Sequence, residues 1–105
     1  MSFNLKKVNN FLHLLLTTTP LQAISLILTA TDEQLIAISE IAFNLLQLPL
    51  KGKEKENIEK RHKILKKIAN KNITAKNKQL LIQRHRKIIL NLFLFFKQKL
   101  LNLLK

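Results

Sequence analysis

Thr31-Asp32-Glu33-Gln34-Leu35-Ile36-Ala37-Ile38-Ser39-Glu40-Ile41-Ala42-Phe43-Asn44-Leu45-Leu46 is the stretch on which the fold turns. Thr31 and Gln34 have the T-x-x-Q spacing of a capping box, in which a hydroxyl and a side-chain amide each satisfy a backbone N–H left unpaired at a helix start. Asp32 and Glu33 then fall in the first turn, where the helix dipole is positive. Leu35, Ile38, Ile41, Ala42 and Leu45 follow at intervals of three and four, so one stripe faces a core while Ser39, Glu40 and Gln47 need not. Leu48-Pro49-Leu50-Lys51-Gly52 stops this helix.

The same punctuation recurs on both sides. Upstream, a first helix runs from about Asn4 to Leu16 and ends in Thr17-Thr18-Thr19, and Pro20 suits the first turn of a second helix reaching about Ala30. Downstream, a fourth helix spans about Lys53 to Ala69. Asn70-Lys71-Asn72 breaks it, and Thr74 is placed to cap a fifth helix from Ala75 to about Leu104. One glycine and two prolines in 105 residues leave few positions for tight hairpins. The sequence therefore predicts an all-α fold, a small bundle of four to five helices with a basic fourth helix and an apolar C-terminal helix. With 47% apolar residues the chain can bury a core, which suits one helical domain over residues 1–105. Its parts are a near-neutral apolar half (1–50), a basic block (51–87) and an apolar C-terminal segment (88–105).

Charge is concentrated rather than spread. Lys51 to Lys87 holds fourteen Lys and Arg against three Glu, a net charge of +11 in a chain of net +13, whereas residues 1–50 carry a net −1. Such asymmetry points to a polyanionic partner, either nucleic acid or an anionic membrane surface. At 100° per residue, Ile58, Ile64, Leu65, Ile68 and Ala69 fall on one side of the fourth helix, and Lys60, Lys63, Lys67 and Lys71 form a row on another. A row of lysines gains affinity for a phosphate backbone by counterion release without reading sequence. The competing explanation is a solvated helix face, but the net charge exceeds what solubility requires. Arg61, Arg84 and Arg86 add bidentate phosphate contacts, and Lys76, Lys78 and Lys87 extend the basic set. Stacking of bases on aromatic rings is not expected, because Phe43, Phe93, Phe95 and Phe96 sit in helices that read as core.

Two features resemble membrane signals. Lys6 and Lys7 precede an apolar run at Phe11 to Leu16, but that run is short, holds His13 and lacks a small-residue cleavage pattern, so it reads as the first helix. Ile88 to Phe96 is nine residues interrupted by Asn91, whereas a spanning helix needs about 20 apolar residues. From Leu80 onward apolar residues occupy all sides, which describes either a central helix surrounded by its neighbours or a segment lying in lipid.

Enzymatic chemistry finds little purchase. There is no cysteine, and His13, His62 and His85 are far apart with no i, i+4 pairing to Asp or Glu, so no metal or other cofactor is expected. One glycine excludes a glycine-rich phosphate loop. Asp32 and Glu33 have a structural role at a helix start, and Glu54, Glu56 and Glu59 balance charge among lysines.

The Thr31–Leu46 helix with its E-x-x-x-N centre at Glu40 and Asn44, the Leu48-Pro49-Leu50 turn, the basic run Lys63-Ile64-Leu65-Lys66-Lys67-Ile68-Ala69-Asn70-Lys71 and the segment Thr74 to Gln83 together resemble a known group of small basic proteins. These are encoded by Maverick/Polinton-type mobile elements and adintovirus-like DNA viruses of animals. The resemblance covers about residues 11–83. The family's tail opens on a glycine pair where this chain has Arg84-His85-Arg86. The resemblance implies a virion core or accessory protein, located in the host nucleus or the virion, and carries no catalytic residues. The leading expectation is a nonenzymatic, intracellular, sequence-independent nucleic-acid-binding protein, DNA favoured. Beside it stand a membrane-active virion component that inserts Ile88 to Leu104 into an interface, and a helical adaptor for a protein partner. A homo-oligomer is compatible with each.

Overall fold

Both halves of the capping box form: the Thr31 hydroxyl accepts from the Gln34 backbone N–H at 3.2 Å, and the Thr31 N–H donates to Gln34 Oε1 at 2.9 Å. In the computed structural model, which describes residues 5–103, this box opens α3 (Asp32–Gln47). Around it lie α1 (Leu5–Thr17), α2 (Pro20–Leu28), α4 (Gly52–Lys60), α5 (His62–Ala69), α6 (Ala75–Arg84), α7 (Arg86–Phe95) and α8 (Lys97–Leu103). The expected helix limits Asn4 and Leu104 lie outside the described residues. Pro20 occupies the first turn of α2 behind the Thr19 cap, and Thr74 caps α6 by accepting from the Asn77 N–H at 3.3 Å. Gly52, the one glycine, takes φ +63° at the entry to α4, a conformation costly to other residues.

Among the described residues there are eight helices and no strand, so the expected four to five is corrected upward. The additional helices come from three bends at single residues. Arg61 divides the expected fourth helix, and His85 and Phe96 divide the fifth into α6, α7 and α8. None is proline or glycine. Each takes φ between −100° and −111° with ψ between 10° and 21°. The ladder largely persists through them, as in His85 N–H to the Leu81 carbonyl (3.2 Å) and Phe96 N–H to the Leu92 carbonyl (3.1 Å). The cause is tertiary. A straight helix from Ala75 to Leu103 would run about 44 Å at 1.5 Å per residue, yet the longest dimension of the fold is 34 Å. Bending lets α6 pack on α3 and α2, α7 on α2, and α8 on α1, so the apolar residues on several sides of this arm each meet a neighbour.

The central helix is α3, which packs against α1, α5 and α6, with its most extensive contact to α5. Its buried surface is wider than one stripe: Ala37 and Ser39 are buried with Leu35, Ile38, Ile41, Ala42 and Leu45. Ser39 is thereby moved from the outer face where it was expected, and its hydroxyl donates to the Leu35 carbonyl at 3.1 Å, which satisfies it without a tertiary partner. Phe93 and Phe96 are core, and Leu92, Leu90 and Leu100 join them in one hydrophobic cluster with Leu15, Leu16, Ile27, Leu65, Ile68 and Ile82. Phe43 and Phe95 are not core, being 40% and 51% exposed. Phe95 and Phe96 pack edge to face with ring centroids 5.0 Å apart. Among the described residues no single helix is long and apolar enough to cross a membrane.

Stability should follow this hierarchy. Ile38→Ala, which opens a cavity beneath the central helix, is expected to cost about 2–5 kcal/mol. Thr31→Ala, which removes the cap alone, should cost about 1 kcal/mol. Urea unfolding followed by circular dichroism measures both, and equal losses would contradict the central position of α3.

Candidate nucleic-acid interface

The basic surface is built by the amphipathicity of α5. Leu65 and Ile68 are buried against α3, Ile64 and Ala69 are half-buried, and His62, Lys63, Lys66 and Lys67 are exposed. Positions three and four apart on a helix have Cβ atoms about 5–6 Å apart, so Lys63, Lys66 and Lys67 form a compact triangle of ammonium-bearing stems. Lys66 was not in the expected row, although its i+3 relation to Lys63 and its place beside Lys67 were readable. The row itself is interrupted. Lys60 ends α4 on the far side of the Arg61 bend, and Lys71 lies beyond the end of α5. Both remain exposed next to the triangle in the chain, and Arg61 is exposed at the bend between them. Among the described residues Lys60, Lys63, Lys66, Lys67 and Lys76 have no carboxylate partner, whereas Lys55 pairs with Glu59 at 4.0 Å and Lys99 with Glu54 at 3.6 Å.

The turn after α5 directs the remaining cations. Asn70 Oδ1 accepts from the Asn72 N–H at 2.9 Å, closing a tight polar turn before the Thr74 cap. Lys71 Nζ lies 5.7 Å from the centroid of the Phe43 ring, a cation–π distance. Arg84, exposed at the end of α6, lines a depression of about 380 Å³ together with Lys67, Ile73, Asn77, Leu80 and Leu81. Lys67 is therefore the residue through which the α5 and α6 cations share one surface. Arg86 is half-buried, and its Nη1 donates to the Gln83 carbonyl at 2.8 Å, so part of its fork is already engaged. Lys76 and Lys87 are exposed at the start of α6 and of α7.

Lys78 departs from the expected set. It is 7% exposed, because it stands one turn before the fully buried Ile82 on the face that α6 turns inward. Burial lowers the pKa of its amine, and the Glu40 carboxylate partly offsets that effect. Its i, i+4 relation to Ile82 was the readable signal that a lysine here belongs to the core stripe. It lines a small pocket with Ile36, Ser39, Glu40, Phe43, Ala69 and Lys71 and contributes a covered stem, not a free phosphate contact.

Among the described residues no group of three or more His, Asp or Glu converges where a metal ion could be held. Comparison with protein-family models, with curated proteins and with solved structures found no match.

A folded-state lysine pKa below its unfolded value means that the unfolded chain holds more protons over the interval between the two. Stability carried by this group is therefore lowest while it is charged in both states and rises with pH toward the ordinary lysine value of 10.5. Lys78→Met, which keeps the stem and removes the charge, is expected to unfold at a higher temperature than the parent near pH 7. The gap should narrow as pH approaches 10.5. A parent that is more stable than Lys78→Met at pH 7 would show that the Glu40 attraction outweighs burial.

Proposed function

We propose that this chain is a nonenzymatic protein that binds the backbone of nucleic acid, DNA favoured, through the exposed face of α5 and the cations at the ends of α4 and α6. The observation that carries the proposal is the unpaired triangle of Lys63, Lys66 and Lys67 on a helix whose opposite side is sealed against α3. Like charges three and four apart destabilise a helix by a few tenths of a kcal/mol each, and no carboxylate of the described residues relieves them. A polyanion relieves them all at once while releasing its own condensed counterions.

Lysine supplies a point charge rather than the planar fork that matches a guanine edge, so the contact is to phosphate and is indifferent to sequence. Arg61 and Arg84 are the exposed forks nearest this surface and suit bidentate phosphate contact. The virion core or accessory role belongs to the resemblance carried by Thr31–Leu46 and Lys63–Lys71, and backbone binding without sequence preference suits the packaging of any DNA. The apolar tail is engaged otherwise: Leu92, Phe93 and Phe96 are packed in the core, so insertion of this segment into lipid would first require its removal from the fold.

With about five phosphates neutralised on a duplex, log affinity should fall against log salt with a slope near −4.5. Changing Lys63, Lys66 and Lys67 together to Gln is expected to make that slope shallower by about 2.7 while leaving helicity intact, since Gln is a comparable helix former. Fluorescence anisotropy against a labelled duplex across a salt series measures this. An unchanged slope and affinity would reduce the triangle to a solvated surface.

A further inference from the structure

Phe43 is a large aromatic ring left 40% exposed one turn before the end of the central helix α3. It is exposed because α5 ends at Ala69 and the chain turns away through Asn70, so that Ala69, Asn70 and lysines, rather than a bulky apolar side chain, line the space beside it. Open space adjoins the ring on two sides. A depression of about 480 Å³ is lined by Phe43, Leu46, Gln47, Lys66, Lys67, Ala69 and Asn70, and a pocket of about 180 Å³ holds Glu40, Lys71 and Lys78. The larger volume lies in the range of small-ligand sites, about 300–1,000 Å³.

The two sides differ in charge. The larger depression has two lysines and no carboxylate, whereas Glu40 lines the smaller pocket. An anion is therefore favoured on the side of Leu46, Lys66 and Lys67. The ligand must offer a flat apolar face to Phe43 and a negative charge to the two lysines that line the same depression. Lys67 also lines the adjoining depression with Arg84, so the negative charge of the ligand should continue along a track. A nucleotide in a strand meets all three requirements.

We propose, resting on the nucleic-acid reading above, that Phe43 is a stacking platform for an unpaired base. Lys66 and Lys67 hold the phosphates on either side of that base, and Arg84 holds the strand further along. Lys71, 5.7 Å from the ring centroid, lines the smaller pocket and leaves the larger depression to the base. Gln47 and Asn70 line the same depression, and their side-chain amides offer hydrogen bonds to base edges without selecting one base. Stacking on an aromatic ring tolerates any base, so the protein gains affinity for single strands and remains indifferent to sequence. In duplex DNA the bases are enclosed, so stacking on Phe43 adds nothing there, and Lys66, Lys67 and Arg84 serve both ligands.

The test is anisotropy with a labelled oligothymidine strand, a duplex of equal length and an oligothymidine-length strand of abasic residues, comparing the parent with Phe43→Leu. Leucine keeps an apolar side chain at this position and removes the stacking face. Loss of one stacked base, about 1–3 kcal/mol, corresponds to a fall of about 5- to 150-fold in affinity for oligothymidine. Duplex affinity should stay within about twofold, and the parent should bind the abasic strand no better than Phe43→Leu does. Unchanged oligothymidine affinity in Phe43→Leu, with duplex binding intact, overturns the stacking site and leaves the backbone reading standing. Equal losses on duplex and single strand also overturn it, because they assign Phe43 to the shape of the fold. A parent that binds none of the three ligands overturns both readings and returns the groove to a protein partner.

Discussion

The contact between α3 and α5 is the constraint from which the surface of this protein follows. Leu65 and Ile68 are fully buried against a helix that is itself closed in by α1 and α6. Burying one such side chain contributes about 1.5–3 kcal/mol, which outweighs the few tenths lost for each like-charge pair on the other face. With the apolar stripe held inward, rotation of α5 is fixed, and Lys63, Lys66 and Lys67 have nowhere to go except solvent. The cationic face is thus a consequence of core packing. One helix is thus at once a wall of the core and a cationic outer face.

The C-terminal arm solves a different problem with the same physics. Its apolar residues lie on several sides, so a straight helix would leave some of them in water and would outrun the globule. Bends at His85 and Phe96 divide the arm into pieces short enough to follow α3, α2 and α1 in turn. Bends with surviving backbone hydrogen bonds cost little beside the burial of Leu92, Phe93, Phe96 and Leu100. The Glu54–Lys99 ion pair, half-exposed, brings the end of this arm back to α4, and its position at the surface makes it a minor contributor to stability.

Lys78 and Phe43 exchange the places that their residue types suggest. The lysine is buried because its position on α6 falls one turn from Ile82, and the phenylalanine is exposed because α5 stops before covering it. They line a common pocket, so polar and aromatic chemistry meet beside the basic face. Both thus depart from ordinary partitioning next to the surface proposed to bind a ligand. A buried ammonium and an uncovered ring each lower stability, and both would be simpler as Leu and as a polar residue if packing alone were at stake.

Local chemistry was sufficient for much of this structure. The Thr31–Gln34 box, Pro20 behind Thr19, and Thr74 before Ala75 act through hydrogen bonds within four residues, so helix starts and the all-α class were legible from the chain alone. The segregation of charge into residues 51–87 was equally plain, as was the inward face of α5, since periodicity of 3.6 states which residues share a side. What periodicity does not state is what, if anything, packs over that side. The bends at Arg61, His85 and Phe96, the burial of Ser39 and Lys78, the exposure of Phe43 and the recruitment of Lys66 all depend on where a neighbouring helix begins, ends or crosses. Those are contacts between residues distant in sequence, and only the tertiary structure decided them.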